Sequence, residues 1–176
     1  MSDRTLGDRA GAAGAGGPGG SNVGPGGSNV GPESASVTAL SHIAIAVREA
    51  DPLVETLVRG LGATRGAEEM LDDGGLRVVF VHLGPVTLEL LEPRRADHTV
   101  AKFLDTRGPG LHHVSLEVKD ILTKLASAKA AGVRLIDESP RPGAHGTQVA
   151  FLHPKSLGGV LVELCQSQQD DRRHEP

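Results

Sequence analysis

Hydrophobic and polar positions alternate from about residue 40 onward in a pattern that predicts short strands interleaved with helices. The first apolar run, 42–47 (HIAIAV), has the period of a β-strand. A helix is predicted next, with Asp51 as its N-cap and Pro52 in its first turn. Its expected buried stripe is aliphatic: Leu53, Val54, Leu57, Val58 and Leu61. Two further strands, 76–83 and 86–93, then form a predicted hairpin.

The same order of elements recurs in the second half of the chain. A strand is predicted over 113–118, followed by a helix that Asp120 caps and Gly132 ends. The expected apolar stripe of this helix is Ile121, Leu122, Leu125 and Ala128. A short strand over 133–136 and a Pro/Gly-rich loop over 140–146 come next. The last predicted strands are 148–153 and 160–166, joined by the loop 154–159.

The spacing of two histidines and two phenylalanines indicates an internal duplication. His42 precedes Phe80 by 38 residues, and His113 precedes Phe151 by 38 residues. A glutamate on the last strand of each half follows the phenylalanine by 9 or 12 residues. Agreement of element order and spacing predicts an α+β fold of two tandem βαβββ modules, about 40–93 and about 111–167, in one domain over 39–167.

Strand alternation predicts which face of the sheet carries the chemistry. His42 shares its face with Ala44 and Ala46, while three branched aliphatic residues occupy the opposite face. His113 similarly lies with Ser115, and the glutamates Glu89 and Glu163 lie with small or polar neighbours. A face of this composition lines a cavity. Because adjacent strand residues point to opposite faces, His113 is expected on the cavity side, and His112 is expected to point toward packing or the outer edge of the strand.

The two histidines and the two glutamates are candidate metal ligands. A two-fold relation between the modules would bring His42, Glu89, His113 and Glu163 to one point. Imidazole nitrogen and carboxylate oxygen together suit a divalent ion such as Co²⁺, Mn²⁺, Ni²⁺ or Zn²⁺. Four protein ligands would leave positions open for substrate on a six-coordinate ion.

Composition narrows the class of protein. The chain has 18 basic and 22 acidic residues, three Phe and no Trp or Tyr, so neither a basic nucleic-acid footprint nor aromatic base-stacking platforms are present. No apolar run is long enough to span a bilayer, and no targeting segment is visible. The single cysteine, Cys165, is typical of a reducing cytoplasm. Residues 1–38, which include the unit GGSNVGP twice, and 168–176 are predicted to be disordered tails.

Several motifs resemble those of one enzyme family. HIAIAV, ELLEP, AKFL, GLHHVSLEV, GAHG and FLHPKS…GGVLVELCQ are similar to segments of methylmalonyl-CoA epimerases, within the vicinal oxygen chelate (glyoxalase-like) superfamily. The resemblance covers residues 40 to about 167. It implies paired modules that form a metal-lined, half-open β-barrel cup, usually in a homodimer. The implied reaction interconverts the (2R) and (2S) epimers of methylmalonyl-CoA, an acyl-CoA substrate of propionyl-CoA catabolism.

The resemblance also implies roles for particular residues. His42 and His113 match the metal histidines of the family, and Glu163 matches its ligand and catalytic base. Glu89 matches a ligand that is glutamine in some epimerases. The second glutamate base of some epimerases falls here on Val78, which cannot transfer a proton. We therefore hypothesise that Glu89 is the second base, and the competing interpretation is that Glu89 is only a ligand.

The same residues are compatible with three other functions of this superfamily and its fold. A glyoxalase-I-type lactoylglutathione lyase would use the same four ligands, a ring-cleaving dioxygenase would use only one carboxylate, and a metal-free ligand-sequestering module would need none. Contact with CoA phosphates is conceivable for Lys155, Arg94 and Arg95, although plain surface charge is the simpler interpretation. For Glu117 the simpler interpretation is a rim position, and for Cys165 it is packing. His145 and His153 are interpreted as structural loop residues.

Overall fold

The computed structural model describes residues 36–167, so both predicted disordered tails lie almost wholly outside the described residues. The first strand begins at Val37, two residues before the predicted domain start. Within the described range the strands are β1 (Val37–Ala46), β2 (Thr64–Leu71), β3 (Leu76–Leu83), β4 (Val86–Pro93), β5 (Gly110–Val118), β6 (Arg141–Pro142), β7 (Gln148–Leu152) and β8 (Val162–Gln166). The α-helices of this range are α1 (Asp51–Leu61), α2 (Thr99–Arg107) and α3 (Ile121–Ala130). None of these helices is long and apolar enough to cross a membrane.

The strands form one curled sheet that is built twice over. Their order is β2-β3-β4-β1-β5-β8-β7-β6, so the two modules meet where β1 pairs antiparallel with β5. On either side of this seam a first strand pairs parallel with the last strand of its own module, β1 with β4 and β5 with β8. The predicted tandem βαβββ modules and the half-open barrel are confirmed.

The two faces of the sheet differ as alternation predicts. Helices α1 and α3 cover the outer face, where α1 packs over Val47, Val79, Val81 and Leu90. Helix α3 covers the equivalent aliphatic positions of the second module. Small residues such as Ala44 and Ala46 lie on the concave face, together with aliphatic side chains of β3 and of α2. The concave face is therefore left open for a site.

Several local predictions were wrong. Asp51 is the first residue of α1 rather than its N-cap; Ala50 is the N-cap, and its N–H is bonded by a buried carboxylate of β4. Of the expected stripes, Val58, Leu61 and Leu122 are exposed, because each helix buries only a narrow strip against a curved sheet. The predicted strand 133–136 is reduced to a single bridge at Leu135.

Strand β2, helix α2 and the two-residue strand β6, which falls in the predicted loop 140–146, were not located from the sequence. Strand β2, TRGAEEML, is an edge strand with little buried surface, so it lacks a clear apolar alternation. Helix α2 connects the two modules and buries only Val100 and Leu104. The side chain of His98 caps it, accepting the N–H of Val100 at 3.1 Å, which is a weak signal in sequence.

Three β-bulges interrupt the pairing of β1 with β5, one at Thr38 near the start of β1 and two beside the candidate ligand histidines. Leu40 pairs with Leu116 and the next partners are His42 and Ser115, so Ser41 is an extra residue on β1. Ala44 pairs with His113 and the next partners are Ile45 and Leu111, so His112 is an extra residue on β5. The latter two bulges thus each immediately precede a candidate ligand histidine, one in each module.

Candidate metal centre

Three of the four candidate ligands point at a common spot in the concave face. One ligand atom from each of His42, His113 and Glu163 lies within 4.8 Å of the others, and all three residues are buried. The Nε2 atoms of the two histidines are 3.3 Å apart. Glu163 Oε1 is 3.4 Å from His42 Nε2, and its Oε2 is 3.8 Å from His113 Nε2. The seam between the modules therefore assembles residues 71 and 121 positions apart.

Glu89 lies beside this cluster rather than within it. Its Oε1 is 3.4 Å from His42 Nδ1, the ring nitrogen that faces away from His113 and Glu163. The two carboxylates thus flank the His42 ring on opposite edges. The structure brings together all four residues singled out in the sequence, but it separates Glu89 from the other three by one imidazole.

Burial shifts every titratable group of the cluster toward its neutral form. Loss of hydration lowers the pKa of His42 to about 4 and lowers that of His113 further. Burial, together with the nearby negative charge of Glu163, raises the pKa of Glu89 to about 8. Burial raises the pKa of Glu163 to about 7, although the Ser115 hydroxyl and Arg141 oppose that shift.

This donor set fits a divalent cation. Neutral imidazoles have a free lone pair, and two buried carboxylates without a counter-charge favour a bound cation. The two Nε2 atoms lie 3.3 Å apart, a separation at which both can bind one ion placed to the side of the line that joins them, at metal–nitrogen distances of about 2.0–2.1 Å. His42, His113 and Glu163 would hold it, and Glu89 is the nearest further carboxylate.

Neighbouring side chains hold the cluster in place. Ser115, on the strand of His113, donates its hydroxyl to Glu163 Oε1 at 2.7 Å. The ring of Phe151 meets that of His113 edge to face at 5.1 Å. Sequence alternation placed Ser115 on this face but gave it no role. Phe151, one of the two phenylalanines whose spacing indicated the duplication, is thus a packing residue of the site.

His112 lies on the cavity side, against the prediction that it points toward packing or the outer edge of the strand. The bulge breaks strict alternation, so neighbouring histidines of β5 both line the cavity. His112 Nδ1 is 2.9 Å from His113 Nδ1, and the His112 ring packs edge to face on Phe103 of α2 at 5.0 Å. No signal in a single strand could have shown this, because the bulge depends on the register with β1.

The cluster opens into a cavity of about 1030 Å³. Val78 lies in its wall, so the position that carries a second base in some epimerases faces the cavity here as an apolar side chain. Arg141 also lines it, with its guanidinium 5.3 Å from the centre of the Phe151 ring. Among the described residues that line the cavity, Arg141 is the one lysine or arginine. Sequence reasoning missed Arg141 because it stands in a Pro/Gly-rich loop.

The remaining residues weighed in the sequence lie in varied surroundings. Lys155, Arg94, Arg95 and Glu117 do not line the cavity, and Arg94 pairs with Glu92 at 3.0 Å. His145 lies at the cavity mouth, where its Nε2 contacts Glu69 of the other module at 2.9 Å. Cys165 is buried at the cavity wall, and burial raises the pKa of its thiol to about 11, as expected for a packing residue.

Comparison with known proteins gives this arrangement a family context. The sequence profile of the Glyoxalase/Bleomycin resistance protein/Dioxygenase superfamily matches residues 41–151. The mitochondrial methylmalonyl-CoA epimerase of Bos taurus is 40% identical over 129 residues, which are 73% of this chain and 74% of that protein. An ethylmalonyl-CoA/methylmalonyl-CoA epimerase of Cereibacter sphaeroides is 40% identical over 72% of this chain and 96% of its own.

A solved structure extends the comparison to the fold. It is a methylmalonyl-CoA epimerase in complex with methylmalonyl-CoA and NH4+. It superposes with a TM-score of 0.71 at 34% identity, over 76% of this chain and 97% of the other. These matches confirm the resemblance that the sequence motifs indicated.

Proposed function

The chain belongs to the methylmalonyl-CoA epimerases of the glyoxalase superfamily, and we propose that it interconverts the C2 epimers of methylmalonyl-CoA at the site of His42, His113, Glu89 and Glu163. The observation that carries the proposal is the pair of carboxylates on opposite edges of the His42 ring. Epimerisation needs a proton removed from one face of a carbon and returned to the other. Two flanking carboxylates can supply both faces.

The metal is proposed to be a divalent ion held by the two histidines and Glu163, with Glu89 as the fourth ligand that the family resemblance implies. When bound, it would stabilise the negative charge that develops as C2 loses its proton. Co²⁺, Mn²⁺, Ni²⁺ and Zn²⁺ all suit this donor set. The alternative function, a metal-free ligand-sequestering module, would bind no cation beside the two buried carboxylates, Glu89 and Glu163.

Glu163 is proposed to act as the base on one face of C2. The hydrogen bond from Ser115 keeps Oε1 oriented, and Oε2 is the freer oxygen. With a pKa raised to about 7 by burial, this carboxyl can both accept and release a proton near neutral pH.

Glu89 is proposed as the base on the opposite face, in place of the acid that Val78 cannot supply. Its position beyond His42 favours proton transfer over a role as ligand alone, because it stands outside the three-residue cluster. Burial and the charge of Glu163 raise its pKa to about 8, which again permits both proton uptake and release. The rival interpretation keeps Glu89 as a ligand and assigns the second face to water or to a loop residue.

The substrate carries several negative charges, and Arg141 is proposed to meet one of them. Its guanidinium reaches the cavity and lowers the pKa of Glu163 through charge, so it is near the reacting groups. The carboxylate on C2 would lie near Glu163 during proton transfer, because Glu163 is proposed to act on that carbon. Arg141 would hold that carboxylate through charge-assisted hydrogen bonds.

The setting of the enzyme is also a proposal. We place it in propionyl-CoA catabolism, in a reducing cytoplasm and as a homodimer. The single cysteine, which is buried and free, supports the compartment. The family resemblance supports the pathway and the dimer.

Deuterium exchange at C2 of methylmalonyl-CoA tests the proposed activity. Purified protein should exchange C2–H in D₂O, and a chelator should abolish the exchange until a divalent metal is restored. Absence of metal-dependent exchange would contradict the proposed function.

The variant Glu89→Gln separates the two roles of Glu89. If Glu89 is the second base, the variant keeps its metal and still exchanges the proton of one epimer through Glu163. Net epimerisation should then fall about 100-fold or more. Glu117→Gln is the matched control, since it removes a carboxylate of β5 that does not line the cavity. Retained metal with unchanged epimerisation in both directions would exclude Glu89 as a base, and loss of the metal would support the ligand-only interpretation.

A further inference from the structure

Two of the three bulges at the seam each place a polar side chain next to a ligand histidine. Ser41 precedes His42 and His112 precedes His113, and both bulged residues line the cavity together with their neighbours. On regular strands they would point to the opposite face. The same departure from regular pairing therefore occurs at equivalent positions of the two modules.

Each bulged residue contacts the same nitrogen of the histidine that follows it. Ser41 Oγ is 3.3 Å from His42 Nδ1, and His112 Nδ1 is 2.9 Å from His113 Nδ1. The other nitrogen, Nε2, faces the cluster in both cases. The inner nitrogens thus converge, while the outer nitrogens each have a polar partner.

A histidine that binds a metal through one nitrogen carries its proton on the other, and the partner of that proton fixes the tautomer and the ring orientation. We propose that His112 and Ser41 are positioning residues, which accept the Nδ1–H of His113 and His42 and so hold both Nε2 lone pairs toward the metal. This inference rests on the proposed metal-dependent function. It adds to that function a pair of hydrogen bonds, one in each module, made by the residue that precedes each ligand histidine.

The two copies of the device are not equal in strength. His42 Nδ1 also has Glu89 Oε1 at 3.4 Å as a second acceptor, whereas His112 is the acceptor recorded for His113 Nδ1 among the described residues. His112 is itself held by the edge-to-face contact with Phe103, whose ring has Arg107 5.7 Å from its centre. Helix α2 thereby supports the metal site through His112, and loss of His112 should cost more than loss of Ser41.

Two variants of His112 test the proposal by metal affinity. His112→Phe keeps a ring against Phe103 but has no acceptor, and His112→Ser introduces the residue that the first module uses. With Co²⁺ and Zn²⁺ as probes in competition with a chromophoric chelator, His112→Phe should bind about 10- to 100-fold more weakly, and His112→Ser should recover to within about fivefold of the unchanged protein. Ser41→Ala should weaken binding by about threefold or less, since Glu89 remains.

The control is His153→Phe, which removes an imidazole that does not line the cavity and should leave affinity unchanged. Long-range ¹H–¹⁵N correlation of histidine rings in the full zinc-loaded chain gives a second measurement, which does not depend on how the variants fold. Both His42 and His113 should carry their proton on Nδ1 and bind through Nε2.

Unchanged affinity of His112→Phe, or zinc on Nδ1 of His113, would overturn the inference while leaving the proposed function intact. An unchanged protein that binds neither metal would overturn both. The two failures are therefore distinguishable in one set of titrations.

Discussion

Two polar clusters lie on opposite faces of the same sheet and differ in how their charges are satisfied. On the outer face, the buried Arg77 binds the buried Glu92 at 2.9 Å and two exposed carboxylates, Glu68 at 2.8 Å and Asp51 at 3.0 Å. On the concave face, His42, His113, Glu89 and Glu163 are all buried, and none of these four side chains is a permanent cation. The first cluster thus contains its own permanent positive charge, and the second does not.

The pKa shifts of the two clusters record this difference. Hydrogen bonds from Arg77 lower the pKa of Glu68 to about 2 and also lower the pKa of Asp51, so these two carboxylates remain charged. Burial raises the pKa values of Glu89 and Glu163 to about 8 and about 7, so the inner carboxyls resist ionisation. Burying carboxyls whose pKa values are raised in this way lowers the free energy of unfolding of the metal-free protein, a cost that is common at functional sites. In the proposed function a bound cation supplies the positive charge that would favour ionisation of these carboxyls.

The largest expected effect is that of Glu163→Gln. We expect epimerisation to fall about 1000-fold or more, because a base and a ligand are lost together. The metal-free variant should nevertheless be more stable than the unchanged protein at pH 8, by an amount on the order of 1 kcal/mol, since a buried carboxylate no longer has to ionise. C2 exchange and urea denaturation measure the two effects, and a destabilised variant would contradict the comparison.

Arg77→Met should have the opposite effect on stability. It removes the buried one of the two arginines that pair with Glu92 and leaves Arg94, so the free energy of unfolding should fall by about 1–3 kcal/mol. Metal affinity of the folded variant should not change, because the outer cluster does not contact the site. Arg59→Met, which breaks an exposed pair with Glu55, is the matched control and should cost less than about 0.5 kcal/mol. An equal loss in both variants would mean that the outer cluster is not a completed network.

Arg141→Met tests whether the one permanent cation near the inner cluster recognises substrate. We expect the Kd of methylmalonyl-CoA to rise about 10-fold, while the Kd of propionyl-CoA, which lacks the carboxylate, stays within about twofold. Arg134→Met is the control, because Arg134 does not line the cavity. Equal weakening for both ligands would instead assign Arg141 to the CoA moiety.

The smallest expected effect is the pH dependence of the metal-free protein. Because the folded-state pKa values of Glu89 and Glu163 are raised from 4.5, the unfolded chain releases these protons first, and stability is lost as pH rises above about 4.5 until the folded-state values of about 8 and about 7 are passed. Between pH 7 and 8.5 the free energy of unfolding should fall on the order of 1 kcal/mol, where the histidines are nearly all neutral in both states. Thermal unfolding across this range, with and without Zn²⁺, measures it. A saturating metal should remove the decline, and the Glu163→Gln variant should show less of it.

Local patterns predicted much of the fold and all four members of the inner cluster. The strands β3 and β4 have their predicted bounds, and Asp120 caps α3 through the N–H of Thr123 as expected. The duplicated spacing paired His42 with His113 and Glu89 with Glu163 before any fold was known. Edge strand β2 and helix α2 escaped prediction, because their stability comes from tertiary contacts rather than from a strong apolar period.

The sequence by itself determined the two modules, the face of each strand and the chemistry of the candidate ligands, because alternation and spacing are properties of a single chain segment. Only the tertiary structure decided that Glu89 lies beyond His42 and that His112 joins His113 on the cavity side. It also decided that Arg77 supplies the positive charge of the outer cluster, whereas none of the four side chains of the inner cluster is a lysine or an arginine. These outcomes depend on the register between β1 and β5 and on contacts between distant segments, and a bulge at one residue reverses the face that alternation assigns to it.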